Sequence, residues 1–209
     1  MFLLYIIIII LLSSGMTFYK TGFYEGYIAK EQCNCLKGFF IVVVFCRHIA
    51  PYLSDAGYDF SLLGDNLFRQ IDERIGQLLV VMFLFYSGYG VMESIKKKGS
   101  NYIDSIPKRR LLATLANFDV AILLFFLVNL SLGIHYDTQD ILLSFTGWES
   151  IGNSNWYIFV ILCCYLSTYL TFKVVRGQNK NRKLICGGNL LIITCIYVVL
   201  VKNLNSATL

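Results

Sequence analysis

Charge is scarce in this sequence. Only 15% of the residues are Asp, Glu, Lys or Arg, where a soluble domain carries about a quarter. That scarcity excludes a disordered chain and a charged coiled coil. Proline occurs twice in 209 residues and histidine twice. So few histidines leave no His-rich metal site. There is no internal repeat, and the isoleucine run at 6–10 is the one low-complexity tract. Apolar residues, by contrast, are abundant: 56% of the chain, with a mean hydropathy of +0.62. The composition implies an all-α polytopic transmembrane helix bundle, whose solvent is the lipid bilayer.

A span needs about 20 mostly apolar residues, and six segments qualify. They run from 2 to 18, about 38 to 54, about 76 to 95, about 111 to 132, Trp156 to about Phe172, and about 184 to 201. The first resembles a signal peptide in its apolar run followed by Ser13-Ser14-Gly15. No Lys or Arg precedes that run, which favours an uncleaved anchor. The expected organisation is an N-terminal anchor and cytoplasmic linker over 1–30, followed by a transmembrane domain over 31–209.

The basic residues alternate from loop to loop. Lys20, Lys30 and Lys37 lie between spans one and two. Lys96, Lys97, Lys98, Lys108, Arg109 and Arg110 lie between three and four. Lys173, Arg176, Lys180, Arg182 and Lys183 lie between five and six. These fourteen are most of the 18 basic residues, whereas the other two interior loops hold only Arg69 and Arg74. The positive-inside rule then places the basic loops in the cytoplasm and both termini outside, in a multi-pass protein of the cell membrane.

The outer loops are acidic. Residues 55–75 carry Asp55, Asp59, Asp65, Asp72 and Glu73. In the same stretch Leu63, Leu67, Ile71 and Ile75 recur at one-face helical spacing, which predicts an interfacial helix. Residues 133–155 carry His135, Asp137, Asp140 and Glu149 and no Lys or Arg. Leu142, Leu143, Phe145 and Trp148 there predict a second short interfacial or re-entrant segment. The cysteines read as structural. Cys46, Cys163, Cys164 and Cys195 sit in spans, where Cys is a small hydrophobe. Cys33, Cys35 and Cys186 lie near the cytoplasmic side, where disulfides are disfavoured. Cys33-x-Cys35 lacks the second ligand pair of a zinc site.

The second span carries the chemistry. An ionisable residue inside a membrane is costly and marks a functional site by default, and this span has Arg47 and His48, with Lys37 at its cytoplasmic mouth. The eleven-residue step from Lys37 to His48 brings the two within about 20° of one helix meridian and separates them by about 16 Å. That places an imidazole near mid-depth of a hydrocarbon core about 30 Å thick. Pro51 leaves the Arg47 carbonyl without its helical partner, an irregularity tolerated where backbone lines a cavity or packs on protein. As a residue type histidine titrates near neutrality and serves as a general base. A hydroxyl deprotonated from one side and an electrophile arriving from the other would suit it. The competing reading is that Arg47 and His48 satisfy a neighbouring helix, or that Arg47 snorkels to the interface.

Lys37-Gly38-Phe39-Phe40-Ile41, with His48 after ten intervening residues, resembles the opening motif of the membrane acyltransferase-3 family. Three further segments agree in order. Phe83-Leu84-Phe85-Tyr86-Ser87-Gly88-Tyr89 resembles the family's aromatic span ending in Ser-Gly. Pro107-Lys108-Arg109-Arg110-Leu111-Leu112 resembles its basic stretch, and Ser154-Asn155-Trp156-Tyr157-Ile158 the Trp-led start of a later span. The likeness covers about residues 30 to 200. It implies an integral membrane enzyme that moves an acyl group, acetyl first among them, from acyl-CoA to a hydroxyl of an extracytoplasmic glycan. It implies no bound cofactor, with acyl-CoA as co-substrate. His48 would take the hydroxyl proton or carry the acyl group briefly itself. Lys37, Arg47, Arg109, Arg110 and Asp119 would bind acyl-CoA or substrate. Asp119, about 13 Å into the fourth span, wants Arg47 or His48 as a partner or orients the imidazole. No metal and no nucleic acid is expected.

Three departures stand out. Lys37 replaces the usual Arg, which keeps the charge and loses bidentate phosphate contact. An Arg-x-x-Arg pattern is not reproduced, since Leu112 and Ala113 follow Arg109 and Arg110 by three. Family members usually have about ten spans, each of about 20 residues, so the chain is expected to be an N-terminal part: either a truncated gene product, or half of a split one with another chain supplying the missing spans. Two other classes of reading stay open at this point. One is a non-enzymatic membrane subunit of surface-polysaccharide transport or assembly, which should show paired broken helices from two related halves; no such repeat is present. The other is an inactive fragment.

Overall fold

A helix satisfies every backbone polar group within its own segment, which is the requirement lipid imposes. The computed structural model describes residues 2–15, 22, 26, 28–61, 63–153, 155–174, 181 and 184–192, and among these it contains helices and no strand. The elements are α1 (Phe2–Ser13), α2 (Lys30–Asp55), α3 (Leu63–Lys98), α4 (Ser100–Ile106), a π-helical turn (Pro107–Leu112), α5 (Ala113–Ser131), α6 (Thr138–Ser144) and α7 (Trp156–Val174). Residues 184–192 are also helical.

Among the described residues, four segments are long and apolar enough to cross a membrane: Lys30–Asp55, Leu78–Lys98, Ser100–Ser131 and Trp156–Val174. They correspond to the second through fifth predicted spans. The helix found in the first has 12 residues, about 18 Å of rise, which is short of a bilayer crossing; residues 16–18 of that segment lie outside the described residues. So do 193–201 of the sixth, together with Lys20, Arg176, Lys180, Arg182, Lys183, Cys195 and Ser154.

Helices reach further than the apolar runs that predict them. The interfacial helix expected around 63–75 is continuous with the third span, as one helix of 36 residues. No proline interrupts it, and backbone hydrogen bonding propagates more readily than it restarts. Lys30 and Lys37 lie inside α2 rather than in a loop. Lys108, Arg109 and Arg110, expected in a loop, lie in the π-helical turn that joins α4 to α5. Proline at the first position of that turn has no N–H to lose. Gly99, at φ +56°, turns the chain between α3 and α4 through a conformation open mainly to glycine.

The chain divides into two compact units, Met1–Gly90 and Val91–Leu209, with α3 contributing to both. In the first, Asp65 is only 2% exposed. Its carboxylate accepts from the backbone N–H of Phe2 at 2.5 Å and from the Tyr58 hydroxyl at 2.7 Å. It sits in the first turn of α3, where a negative charge also complements the helix dipole. The Phe40 and Phe83 rings meet edge to face, 6.1 Å apart.

In the second unit, Phe118, Ile122 and Ile151 form a buried cluster with Leu115, Phe126, Tyr136, Phe145 and Ile158 around it. Ile151 comes from the acidic loop between α6 and α7. Its carbonyl accepts from the buried Asn129 amide at 2.7 Å. The predicted short segment is α6, capped by the Asp137 side chain on the Thr138 N–H. Gly147, at φ +74°, brings the loop against the Phe159 backbone, where a Cβ would approach to 3.3 Å. Trp148 then lies edge to face on Phe159 at 5.0 Å.

Asn129→Leu removes that amide and leaves a buried carbonyl unpaired. The expected cost is roughly 1–3 kcal/mol, read as a lower unfolding midpoint in detergent; an unchanged midpoint would show that the loop is not held by this bond. Asp65 has its pKa held below the ordinary carboxylate value, chiefly by the Tyr58 hydroxyl, with burial opposing. A depressed carboxylate stabilises the fold above about pH 3.9 and loses that contribution as pH falls toward its own lower pKa. Acidification below that value should lower the midpoint less in Tyr58→Phe than in the wild type.

Candidate functional site

Helix α2 runs unbroken from Lys30 to Asp55 with Pro51 inside its last turns. The spacing argument for Lys37 and His48 therefore holds along its whole length. Helical register separates the faces of α2. Taking Phe40 as the reference meridian, Cys33 and Arg47 lie within about 20° of it. Cys33 is buried, Arg47 half-buried, and Phe40 packs on Phe83, so this is the packed side of α2 within the first unit. Lys37 and His48 lie about 60° and 80° round from Phe40, both to the same side. Lys37 is half-buried and His48 is exposed. The packing of the unit thus covers Lys37 and Arg47 in part and leaves His48 exposed.

The second unit holds the other candidates, and its cations differ in how far they are engaged. Arg110 is half-buried. Its Nε donates to the Tyr102 hydroxyl at 3.0 Å, and its guanidinium carbon lies 6.0 Å from the centroid of the Tyr165 ring, a cation–π distance. Lys173 on α7 pairs with Asp104 on α4, and Lys96 with Glu93 one turn before it. Lys97, Lys98, Lys108 and Arg109 are exposed, with no ion pair among the described residues. These four are the cations of this stretch left to meet an external anion.

Asp119 lies in α5 between Phe118 and Ile122 of the buried cluster. Its Oδ1 is buried and has no hydrogen-bond partner among the described residues. It belongs to the second unit, whereas Lys37, Arg47 and His48 belong to the first. No group of three or more His, Cys, Asp or Glu side chains placed to hold a metal occurs among the described residues.

The sequence reading did not single out Tyr102 or Tyr165, each 7% exposed. A signal was present for the first. Tyr102, Ile103 and Ile106 form the buried face of α4, and a tyrosine there needs a partner for its hydroxyl. Tyr165 gives no such signal within an apolar span.

In chemical terms, the first unit offers an exposed imidazole on α2 with a half-buried cation about three turns away along the same helix, and the second unit offers, separately, exposed cations on a π-helical turn. A family model described as an acyltransferase domain, that of the acyltransferase-3 family, matches residues 31–208. No curated protein and no solved structure matches the chain.

Proposed function

The chain belongs to the acyltransferase-3 family of membrane acyltransferases, and we propose that it moves an acyl group, acetyl in the first instance, from acyl-CoA to a hydroxyl of an extracytoplasmic glycan. The observation that carries this reading is the continuity of α2, which keeps Lys37 and His48 on one flank about 16 Å apart. That is the length scale of an extended pantetheine arm between its phosphates and its thioester.

The chemistry then balances with groups of this chain. The His48 imidazole takes the proton of the acceptor hydroxyl as its oxygen attacks the thioester carbonyl. The C–S bond breaks, and the departing thiolate recovers the proton from the imidazolium. In the two-step version the imidazole nitrogen attacks the thioester carbonyl and the C–S bond breaks to give the thiolate; the hydroxyl oxygen then attacks the acyl-imidazole, the C–N bond breaks to restore the imidazole, and the hydroxyl proton goes to the thiolate. A cation for the donor's phosphates is available at Lys37, on the same helix as His48. The acidic loops at 55–75 and 133–155 would face the acceptor, with the basic side in the cytoplasm.

His48→Ala should lower acetyl transfer from labelled acetyl-CoA in membranes by about a hundredfold or more; transfer within twofold of the wild type would remove His48 from the chemistry. Orientation has its own test. Cys35 is exposed near the start of α2, on the basic side. A membrane-impermeant maleimide should label the wild type more than Cys35→Ser in inside-out vesicles and equally in intact cells. The reverse pattern would invert the topology.

A further inference from the structure

The two sides of α5 differ in register. Phe118, Ile122 and Asn129 are its buried residues, and they lie within about 40° of one meridian. On the far side, Ala113, Asn117, Val120, Leu124, Leu127 and Ser131 are all exposed. Their spacing alternates between four and three residues from end to end. That is the 3.5-residue period of a left-handed helix-to-helix seam, the commonest packing geometry of helices in membranes.

The two asparagines of α5 stand in different surroundings. Asn129 is buried and donates to the Ile151 carbonyl at 2.7 Å. Asn117 is exposed on the seam, and its side chain makes no hydrogen bond among the described residues. It lies about 9 Å past the predicted start of its span at 111. A carboxamide at that depth faces hydrocarbon, where an unmade hydrogen bond is costly. Its side chain is too short to reach the interface as a lysine would.

We propose that this seam docks a second copy of the chain, α5 against α5, with the Asn117 carboxamides of the two copies bonded to each other. Two copies of one sequence insert with the same orientation, so their α5 helices run parallel. A two-fold contact is isologous and sets each residue on the axis opposite itself. Asparagine suits that place because its amide donates while its carbonyl accepts, so the pair closes without a third group. A helix of another protein would need its own polar group at the matching depth, whereas a second copy supplies one by symmetry. A single asparagine on such a seam also fixes register and oligomeric state. Ala113, one turn before it, lets the two backbones approach closely. No residue of the seam takes part in the proposed acyl transfer.

The test is association of the full 209-residue chain in lipid vesicles. It is read by energy transfer between copies carrying two different dyes as the protein-to-lipid ratio falls. Transfer should rise linearly with the fraction of acceptor-labelled copies, the signature of a dimer. Asn117→Leu should raise the dissociation constant about three- to fifteenfold, and Asn117→Gln, which keeps the carboxamide, by less. Val120→Phe should weaken association as a wedge. Val120 is exposed in the single copy, so the larger ring fits the monomer, and a failure of one variant to fold leaves the other. Phe125→Ala, about 100° round from Leu124, should leave association unchanged. Association that neither Asn117→Leu nor Val120→Phe weakens, or that Phe125→Ala weakens equally, would overturn the proposal. So would a wild-type chain that is monomeric at every ratio, which would leave the seam to a helix of another protein.

Discussion

Lipid does not hydrogen-bond, and that one constraint organises the molecule. A polar group in the hydrocarbon must find a partner in the protein or be there for function. In the second unit the partners are visible. The Thr168 hydroxyl donates to the Cys164 carbonyl at 2.8 Å and the Thr171 hydroxyl to Ser167 at 2.8 Å. The Asn189 amide donates to Thr171 at 2.9 Å, joining residues 184–192 to α7. Asn129 does the same between α5 and the loop before α7. The two threonine bonds satisfy hydroxyls within α7 itself, whereas the Asn189 and Asn129 bonds tie separate segments together where apolar surface alone has little leverage. The apolar clusters are accordingly small, and Leu123, Leu124, Leu127 and Val128 of α5 face outward, as residues whose solvent is lipid can.

Against that background the ionisable residues sort themselves. Arg110 and Lys173 are committed to tyrosines and to Asp104. Arg47 lies on the packed side of α2 with Cys33 and Phe40. His48 is different: it lies deep in a span, on a flank that its own unit leaves open. A histidine kept for packing would be expected on the seam that Phe40 marks. Its displacement from that seam, in register with Lys37, is what the proposed reactive role rests on.

What the sequence made legible was what the chain decides locally. Span positions follow from length and hydropathy, and the Lys37–His48 alignment follows from the fixed period of a single helix. Neither needs knowledge of what packs where. The continuity of α3 was missed because a polar stretch such as Ile71-Asp72-Glu73-Arg74 ends an apolar run without ending a helix. The π-helical turn was missed because its composition, basic and opened by Pro107, is that of a loop. Arg110's tyrosines and the Asn129–Ile151 bond were hidden for a deeper reason. They join residues on different elements, and only the packing of α4, α5, α7 and the outer loop brings them together.

These commitments bear on how a donor would be gripped. Arginine is the residue that holds a phosphate by geometry, through a planar fork; lysine holds it by charge alone. Lys37 stands where the family usually has arginine, and Arg110 spends its fork inside the bundle. Among the described residues of the basic stretches, Arg109 alone offers an exposed guanidinium. On the proposed reading, the anionic head of acyl-CoA is therefore recognised largely as charge, an attraction that salt screens readily at an exposed site. Point charges discriminate poorly between one phosphorylated head and another. Selectivity among donors then has to arise at the other end of the molecule, where the thioester and acyl chain meet the side chains around His48.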